Sequence, residues 1–416
     1  MVPFAFGKGD EMLKLLGEKT IENMMSEASD ILENIGVSFD SPLALELFKK
    51  AGASIDGINV KISKKLLDDS LKLMPDFEYE PAEKKVLAGA MFGNVPTVYD
   101  DEAKVYRRAT LEDTVKMYKL CETSELYECV NPSTVDPLGI TADDLYSAQI
   151  AMCLKYSDKY LSNGMRATAQ NSKNGDLYGS AKRAIKMVKD FYGIYDEPVM
   201  DQNICPMSPL SYDREALDNM IAALEEGQNV GICPCSLTNL TGPPSIYETA
   251  IHDIALALAG VVFVQLFMPG TSISLSDSSG ATDMRTIQPT YGTVEATLIQ
   301  CMMFEFCVYY KIEASICATL ADAPVANYQA GVETFLSTFL PYYYLDLDVA
   351  WCYPGHMAAW YCGSFEKAIL DEELMRNINR AFAPVVKTPE KNFADILLMA
   401  KEKNTFLTGR PPKEYR

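Results

Sequence analysis

Five cysteines lie near the carboxyl ends of predicted β-strands: Cys205, Cys233, Cys235, Cys317 and Cys352. Cys233 and Cys235 are two residues apart, which places both side chains on the same face of a strand. Because thiolates bind zinc, one hypothesis is a metal site formed by Cys205, Cys233 and Cys235. The spacing matches no standard zinc motif, so the favoured interpretation is that these cysteines are small residues that pack in the core.

Aromatic residues are concentrated near the carboxyl terminus, where both tryptophans occur: Trp351, Tyr353, Trp360 and Tyr361. Trp351 and Tyr353 alternate along a predicted strand and can share its inward face, and Phe4 or Phe6 could close over them. Aromatic ring faces attract quaternary ammonium ions through the ring quadrupole. The pattern predicts a site for a cationic amine, with ordinary core packing as the alternative.

Polar residues at other predicted strand ends extend the candidate site. They are Asn163, Arg166, Asp201, Asn203 and His356, which we expect to line one cavity together with Cys235 and Cys317. Arg166 could hold a carboxylate by a bidentate contact. His356 follows the last predicted strand, and a buried structural histidine is its alternative reading. The other histidine, His252, falls inside a predicted helix, which argues against a Ser–His–Asp triad.

The composition limits the classes of function. The chain has 416 residues, 48% of them hydrophobic, and a formal net charge of −20, which argues against nucleic acid and anionic membrane surfaces as partners. No glycine-rich phosphate loop follows a predicted strand, so nucleotide chemistry is not expected. The 11 cysteines are an odd number, read as reduced thiols. Without a signal peptide pattern, the predicted location is cytoplasmic.

The elements that must position these residues alternate regularly. Residues 198–237 read as strand, helix, strand, with Asp213 as the helix N-cap and Gly227 at its end. Such a unit makes the two strands parallel. With this unit included, the pattern predicts seven strand–helix alternations, with strands at 126–130, 160–165, 198–205, 229–235, 272–276, 312–318 and 349–353.

This repetition predicts an α/β fold, a (β/α)8 TIM barrel with an amino-terminal, mostly helical α+β extension. The eighth strand is expected either before residue 126 or in the carboxyl-terminal tail. We predict a boundary between an amino-terminal module, residues 1–95, and the catalytic barrel, residues 96–416. The long apolar run after Asp253 is too short to span a membrane and is predicted to be a buried helix.

Several segments resemble the trimethylamine methyltransferase superfamily, in the branch that lacks pyrrolysine. The similarity covers nearly the whole chain. It is carried by ILENIGVSFDSP at 31–42, AGASIDG at 51–57, SPLSYD at 208–213, TDMRT at 282–286 and QAGVE at 329–333. Each motif is weak by itself, and together they are fairly specific. The cysteine-rich strand ends and the segment 318–329 depart from the family pattern.

The resemblance implies a (β/α)8 barrel that transfers a methyl group to the Co(I) of a separate corrinoid protein, which we expect to dock at the barrel mouth. The substrates implied are quaternary amines such as glycine betaine, proline betaine, carnitine or butyrobetaine. The corrinoid is carried by the partner, and no tightly bound cofactor is expected. Two alternatives stay open, a zinc-dependent methyltransferase or lyase and a non-catalytic betaine-binding protein. Assembly into a homo-oligomer is also left open.

Overall fold

The computed structural model describes residues 15–79, 87–89, 91–93, 95–133, 139–162, 167–169, 172–345, 350–383, 396–398 and 400–401. Its helices are α1 Glu18–Asn34, α2 Pro42–Lys50, α3 Lys64–Leu71, α4 Leu111–Thr123, α5 Ala142–Tyr156, α6 Leu177–Tyr192, α7 Arg214–Glu225, α8 Ile246–Phe267, α9 Val294–Tyr309, α10 Tyr328–Leu345 and α11 Phe365–Phe382.

The strands are short and most lie between two helices. They are β1 Val37–Phe39, β2 Ser54–Asp56, β3 Asn59–Lys61, β4 Leu87–Ala88, β5 Thr97–Asp100, β6 Val105–Arg107, β7 Cys129–Val130, β8 Tyr160–Leu161, β9 Asp201–Ile204, β10 Ser211–Tyr212, β11 Asn229–Ile232, β12 Ser274–Asp277, β13 Ala281–Asp283, β14 Gln288–Thr290, β15 Glu313–Ala318, β16 Ala350–Cys352, β17 His356–Met357 and β18 Cys362–Gly363.

Eight of these strands form the predicted parallel barrel. Six pair in the order β4-β16-β15-β12-β11-β9, and every one of these pairs is parallel. β7 and β8 pair in parallel, and a parallel bridge between Leu161 and Met200 joins β8 to the start of β9. The Cys129 thiol donates to the Gly89 carbonyl, which closes the ring between β7 and β4. The (β/α)8 prediction is confirmed.

The eighth strand is β4, which belongs to the segment before residue 126. It pairs with β16 through Trp351 opposite Leu87 and Cys352 opposite Ala88. Two residues of strand carry no alternation pattern, so the sequence alone could not locate it. Because β4 precedes residue 96, we propose that the barrel begins at Leu87 and that the amino-terminal module is correspondingly shorter.

The central βαβ unit folds as the sequence predicts. β9 and β11 are parallel neighbours, and the Asp213 carboxylate accepts the Ala216 N–H at 2.9 Å to cap α7. Gly227 adopts a left-handed φ of +64° just after the helix. The stretch between β9 and α7 also contains β10, which pairs in parallel with β1. Its peptide bond from Ser208 to Pro209 is cis.

The amino-terminal module covers one side of the barrel. Its sheet has the order β10-β1-β3-β2, with a β2-β3 hairpin that turns at Gly57. Ser41 and Ser63 cap α2 and α3 by accepting the N–H groups of Ala44 and Leu66. β10 lies between the barrel strands β9 and β11 in the sequence, and β1 belongs to the module. The pairing of β10 with β1 therefore joins the two parts.

Helix α8 lies between the module and the barrel, which explains its composition. A helix that is apolar all round must be buried on every side. A Cβ on Gly260 would lie 2.6 Å from Ile232 Cδ1 of the barrel, and α1, α2 and α3 pack against α8. The helix is long and apolar enough to cross a membrane, but 89% of its most apolar 18-residue window is buried inside the fold. It is a core helix.

A small outer sheet sits beside the carboxyl end of β16. Its order is β17-β18-β5-β6, so the loop after β16 pairs with the chain that precedes α4. β5 and β6 form an antiparallel hairpin. The parallel pairing of β18 with β5 joins segments about 265 residues apart in the chain, and it holds the loop that carries Trp360 over the barrel.

Candidate active site

The thiols of Cys205, Cys233 and Cys235 meet at the carboxyl ends of β9 and β11. Their sulfur atoms all lie within 4.8 Å of one another. The Cys233 N–H donates to the Ile204 carbonyl at 2.8 Å, which fixes the two strand ends relative to each other. Contact with the Cys205 thiol is the main cause that raises the pKa of Cys233 to about 12 and the pKa of Cys235 well above its usual range. These two groups are therefore protonated thiols at neutral pH.

A fourth thiol, Cys317, lies beside these three. The Ser278 hydroxyl lies 3.2 Å from Cys233 Sγ and 3.0 Å from Cys317 Sγ, and Tyr353 Oη lies 3.9 Å from Cys317 Sγ. Burial raises the pKa of Cys317 to about 12 and raises the pKa of Tyr353 well above its usual range. This wall of the barrel mouth therefore presents neutral, weakly polar groups.

An aromatic cluster stands over this wall. It consists of Tyr291, Trp351, Tyr353 and Trp360, packed with Cys317 and Leu320. The Trp360 ring meets Tyr353 edge to face at 5.2 Å between centroids and meets Tyr291 edge to face at 6.2 Å. Tyr353 is nearly buried, whereas Tyr291, Trp351 and Trp360 are half-buried. Only the half-buried rings can offer a face to a ligand.

Two glycines near β4 create the space that the tryptophan rings occupy. A Cβ on Gly89 would lie 2.1 Å from Trp351 Cε3, and a Cβ on Gly93 would lie 2.0 Å from Trp360 Cζ3. Contacts that short are impossible, so a side chain at either position must displace its ring. Gly93 also has a left-handed φ of +69°. The first barrel strand thus sets the depth of both indole rings.

His356 is a buried residue that supports Trp360. The Trp360 N–H donates to His356 Nε2 at 2.8 Å, and the Ala321 N–H points at Nδ1 from 3.0 Å. A neutral imidazole has one free lone pair, so only one of the two can be a full hydrogen bond. Burial, with Lys367 nearby, holds the pKa of His356 well below its usual range. The residue positions the aromatic turn and has no open side for a ligand.

The turn that carries Trp360 is strained. Ala358, Ala359 and Trp360 all have left-handed φ angles, between +52° and +68°. Each such non-glycine residue costs on the order of 1–3 kcal/mol and persists only where the surroundings enforce it. Here the buried Lys367–Asp371 ion pair helps to hold the strained turn in place, because Asp371 also accepts the Gly355 N–H at 2.8 Å.

Asp322 holds Tyr291 from behind. Its carboxylate accepts the Tyr291 N–H at 2.7 Å and the Gly292 N–H at 2.9 Å. Burial raises the pKa of Asp322 to about 6, although the two N–H donors oppose that rise. A Cβ on Gly292 would lie 3.1 Å from Ala321 Cα, so the two loops approach each other closely. Within the described structure, Asp322 is thus a carboxyl group held directly against the Tyr291 backbone.

The predicted place of Asp201 at the barrel mouth is wrong. β9 begins at Asp201, so the residue lies at the amino end of the strand, where it accepts hydrogen bonds from Tyr160, Ser162 and Asn229. The error arose because the strand starts three residues later than the apolar pattern indicated. Asn203 lies between the two ends: a Cβ on the neighbouring Gly231 would be 3.1 Å from its Oδ1.

The remaining predicted site residues divide into two groups. Cys235, Cys317, Trp351 and Tyr353 lie at the carboxyl end of the barrel, as described above. Phe4, Phe6, Asn163 and Arg166 lie outside the described residues. Their membership in the site stays a prediction.

A buried polar network lies behind the strand ends. His252 Nδ1 is 2.8 Å from Asp253 Oδ1 and 3.3 Å from Ser236 Oγ, and Ser236 also donates directly to Asp253. In a catalytic triad the serine and the carboxylate occupy different ring nitrogens. Here both contact Nδ1, and Ser279 donates to the other Asp253 oxygen at 2.8 Å. The network fixes the strand ends and does not form a triad.

Sequence reasoning missed Tyr291, Ser278 and the two glycines. Tyr291 lies after the β13-β14 hairpin, in a loop without a periodic pattern. An aromatic residue followed by glycine in a long loop after a barrel strand is a weak signal that could have drawn attention to it. The glycine contacts depend on rings more than 250 residues away and leave no local trace.

Comparison with known proteins gives consistent relatives. The chain matches the trimethylamine methyltransferase family over residues 5–410. It is 36% identical to a proline betaine:corrinoid methyltransferase of Eubacterium limosum, over 97% of this chain and 85% of that protein. It is 33% identical to an L-carnitine:corrinoid methyltransferase of the same organism, over 95% and 83%. A glycine betaine methyltransferase of Desulfitobacterium hafniense is 25% identical over 86% and 75%.

The fold also matches a solved structure. The monomethylamine methyltransferase of Methanosarcina barkeri superposes with a TM-score of 0.54 at 11% identity, over 96% of this chain and 90% of that one. At this identity the likeness concerns the fold alone. The sequence relatives supply the family: this chain belongs to the trimethylamine methyltransferase family and is a methyltransferase of the branch that lacks pyrrolysine.

Proposed function

We propose that this enzyme takes a methyl group from a betaine-type quaternary amine and transfers it to a corrinoid carried by a partner protein. The observation that carries the proposal is the set of half-buried rings, Tyr291, Trp351 and Trp360, at the carboxyl end of the barrel. A quaternary ammonium ion has no N–H to donate, so ring faces and dispersion must recognise it. The names of the relatives support the same substrate class.

The protonation states of the site suit this reaction. The corrinoid of a docked partner supplies Co(I), the nucleophile that accepts the methyl group. The leaving group is a neutral tertiary amine, which needs no general acid. His356 has a depressed pKa, and Cys317 and Tyr353 have raised ones, so these residues neither supply nor take a proton at neutral pH.

The residues of this chain contribute mainly by orientation. Tight binding of the cation alone would not accelerate the reaction, because the positive charge on nitrogen fades in the transition state. Rings held at a fixed depth by Gly89 and Gly93 can direct one N-methyl carbon towards the open mouth. They also exclude water from the cation.

The rim of the mouth suits a docked protein. Four loops and the first residue of α10 each expose a large apolar side chain: Met207, Leu240, Met284 and Tyr361 in the loops, and Tyr328 on the helix. Tyr328 is 89% exposed, and exposed apolar surface of this kind marks protein interaction sites. Exposed Met and Tyr are enriched in protein interfaces. We therefore place the corrinoid protein over this rim, as part of the proposal.

The main test is methylation of free cob(I)alamin with glycine betaine, proline betaine, carnitine and butyrobetaine. We expect loss of the cob(I)alamin absorbance with at least one amine, and the preferred amine identifies the substrate. Gly89→Ala should reduce the rate because it displaces Trp351. Gly331→Ala, where an added Cβ meets nothing within 4 Å, is the matched control. A betaine-binding protein would bind an amine and consume no cob(I)alamin, and that result would refute the proposal.

A second test concerns docking. Met284 and Phe191 are both 56% exposed, but Met284 is on the rim and Phe191 is on α6. Met284→Asp should slow methyl transfer to a corrinoid protein more than transfer to free cob(I)alamin, and Phe191→Asp should affect neither. Equal losses with both acceptors would contradict docking at this rim. The cytoplasmic location also stays a proposal, supported by the 11 cysteines, none of which forms a disulfide in the described structure.

A further inference from the structure

We propose that Cys205, Cys233 and Cys235 form a binding site for a single thiophilic d10 metal ion, such as Zn²⁺. Their sulfur atoms all lie within 4.8 Å of one another. A zinc ion bonded at about 2.3 Å to each of three sulfurs holds the sulfurs roughly 4 Å apart. Small side-chain rotations are enough to reach that arrangement.

Two adjacent strands fix the three thiols in advance. Cys205 directly follows β9, and Cys233 directly follows β11, its paired neighbour. The Cys233 N–H donates to the Ile204 carbonyl at 2.8 Å, and the Ser236 N–H donates to Ser279 Oγ at 2.7 Å. The backbone on both sides of Cys235 is therefore anchored. Ligands held on strand ends bind metal with less loss of conformational entropy than ligands on loops.

The thiols hold exchangeable protons that a metal ion can replace. Without metal the three sulfur atoms lie against one another. Each thiol that binds the ion as a thiolate releases one proton to solvent. Three soft sulfur ligands select Zn²⁺, Cu⁺ and related ions over Mg²⁺ or Ca²⁺.

The open side of the site faces the aromatic cluster. Cys233 is buried, whereas Cys205 and Cys235 keep part of their surface exposed at the mouth. Ser278 Oγ lies 3.2 Å from Cys233 Sγ and 3.0 Å from Cys317 Sγ, and Cys317 packs against the rings of the aromatic cluster. Three protein ligands with one open position is the arrangement of catalytic rather than structural zinc sites. Three thiolates around a divalent ion also leave one net negative charge beside the rings, which would favour a cationic amine; this consequence rests on the proposed function.

The test uses Cd²⁺ alone as the probe. Metal-free protein is prepared with a phosphine reductant, which keeps thiols reduced without offering a competing thiolate. Cd²⁺ is then titrated while the thiolate-to-metal charge-transfer absorbance is followed in the ultraviolet and proton release is followed with an indicator. We expect one equivalent to bind, with protons released and the unfolding temperature raised.

Single variants locate the site. Cys205→Ser, Cys233→Ser and Cys235→Ser should each weaken Cd²⁺ binding by at least about tenfold. Cys317→Ser is the matched control, since it removes a thiol from the same wall that is not one of the three. Since Cys233 is buried and its variant could fold poorly, the half-exposed Cys205 and Cys235 carry the result, with the unfolding temperature of each metal-free variant measured alongside.

Two results would overturn the site. One is the lack of a charge-transfer band in the wild type. The other is binding that survives in the Cys205→Ser/Cys235→Ser double variant or that is lost equally in Cys317→Ser. Methyl transfer is not part of this test, so its outcome is separate from that of the proposed function.

Discussion

The two ends of the barrel use polar side chains in opposite ways. At the amino end, Asp201 accepts hydrogen bonds from Tyr160, Ser162 and Asn229 at 3.0–3.1 Å, so oxygen and nitrogen groups satisfy one another. At the carboxyl end, the inward groups are thiols and ring faces, whose mutual contacts are weak. Contacts of the first kind hold the strands together, and contacts of the second kind can be exchanged for a ligand. This agrees with the usual division of a barrel into a stability face and an active face.

The carboxyl end has its own strong polar contact, but it lies behind the site. Lys367 and Asp371 are only 2% and 5% exposed and are 2.6 Å apart. Asp371 anchors Gly355, at the start of the loop that presents Trp360. The rigidity of the aromatic cluster therefore comes from a buried ion pair outside the cavity. The following experiments separate the supports of the fold from the groups that meet the ligand.

The largest effect is expected from Lys367→Met. It leaves the Asp371 carboxyl buried without its partner, which should lower the free energy of unfolding by about 3–5 kcal/mol. Urea unfolding measures this. The double variant Lys367→Met/Asp371→Leu should regain most of the loss, since no buried charge remains. A double variant as unstable as the single one would show that the pair is not the cause.

Asp201→Ala should destabilise the amino end by about 1–3 kcal/mol, because three donors lose a shared acceptor. Asp201→Asn keeps one acceptor oxygen and should cost less. Calorimetric affinity for the amine should be unchanged in both variants. A clear loss of affinity without loss of stability would place Asp201 in the site after all and would break the contrast between the two ends.

In contrast to the Asp201 variants, Trp351→Leu should lower amine affinity and leave stability largely unchanged. It keeps apolar bulk but removes a ring face worth on the order of 0.5–2 kcal/mol, so affinity for the quaternary amine should fall roughly two- to thirtyfold. Binding of a neutral tert-butyl analogue should change little, because that ligand gains nothing from the ring quadrupole. Equal losses for both ligands, together with a lower unfolding temperature, would mean that Trp351 is only core.

Asp322 should give the smallest effect, a pH dependence centred near its pKa of about 6. Below that pH the carboxyl is protonated, and the negative charge behind Tyr291 is lost, so amine affinity should fall as the pH falls. The stability of the fold should depend on pH in the opposite direction to the amine affinity. Because the folded state raises this pKa above its ordinary 3.8, the group binds its proton more tightly when folded, and stability should decrease as pH rises between these values.

Asp322→Asn should remove the contribution of this residue to both pH dependences, since the amide does not titrate, and both should be shallower than in the wild type. Isothermal titration of the amine and thermal unfolding, each repeated between pH 4.5 and 7.5, roughly spanning the expected range, measure the two effects. A wild-type affinity that does not change across this range would exclude Asp322 as a contributor to cation binding.

Local patterns determined much of this protein. The buried helix predicted after Asp253 is part of α8, because an unbroken apolar run must be buried on every side. The Asp213 cap, the end of α7 at Gly227 and the parallel β9–β11 pair likewise lie within the single stretch 198–237. Repetition of these local units was enough to indicate a barrel, and the family motifs were enough to indicate the chemistry.

Tertiary structure alone decided what the barrel mouth contains. β4 is two residues long and is a strand only because β16 offers it a partner. Gly89 and Gly93 matter only because indole rings from the far end of the chain lie against them. Asp201 lies at the amino end of β9 rather than at the predicted carboxyl end, because strand pairing, not apolar periodicity, decides where β9 begins. Such contacts join residues distant in the chain, and their energy depends on packing geometry that no local pattern encodes.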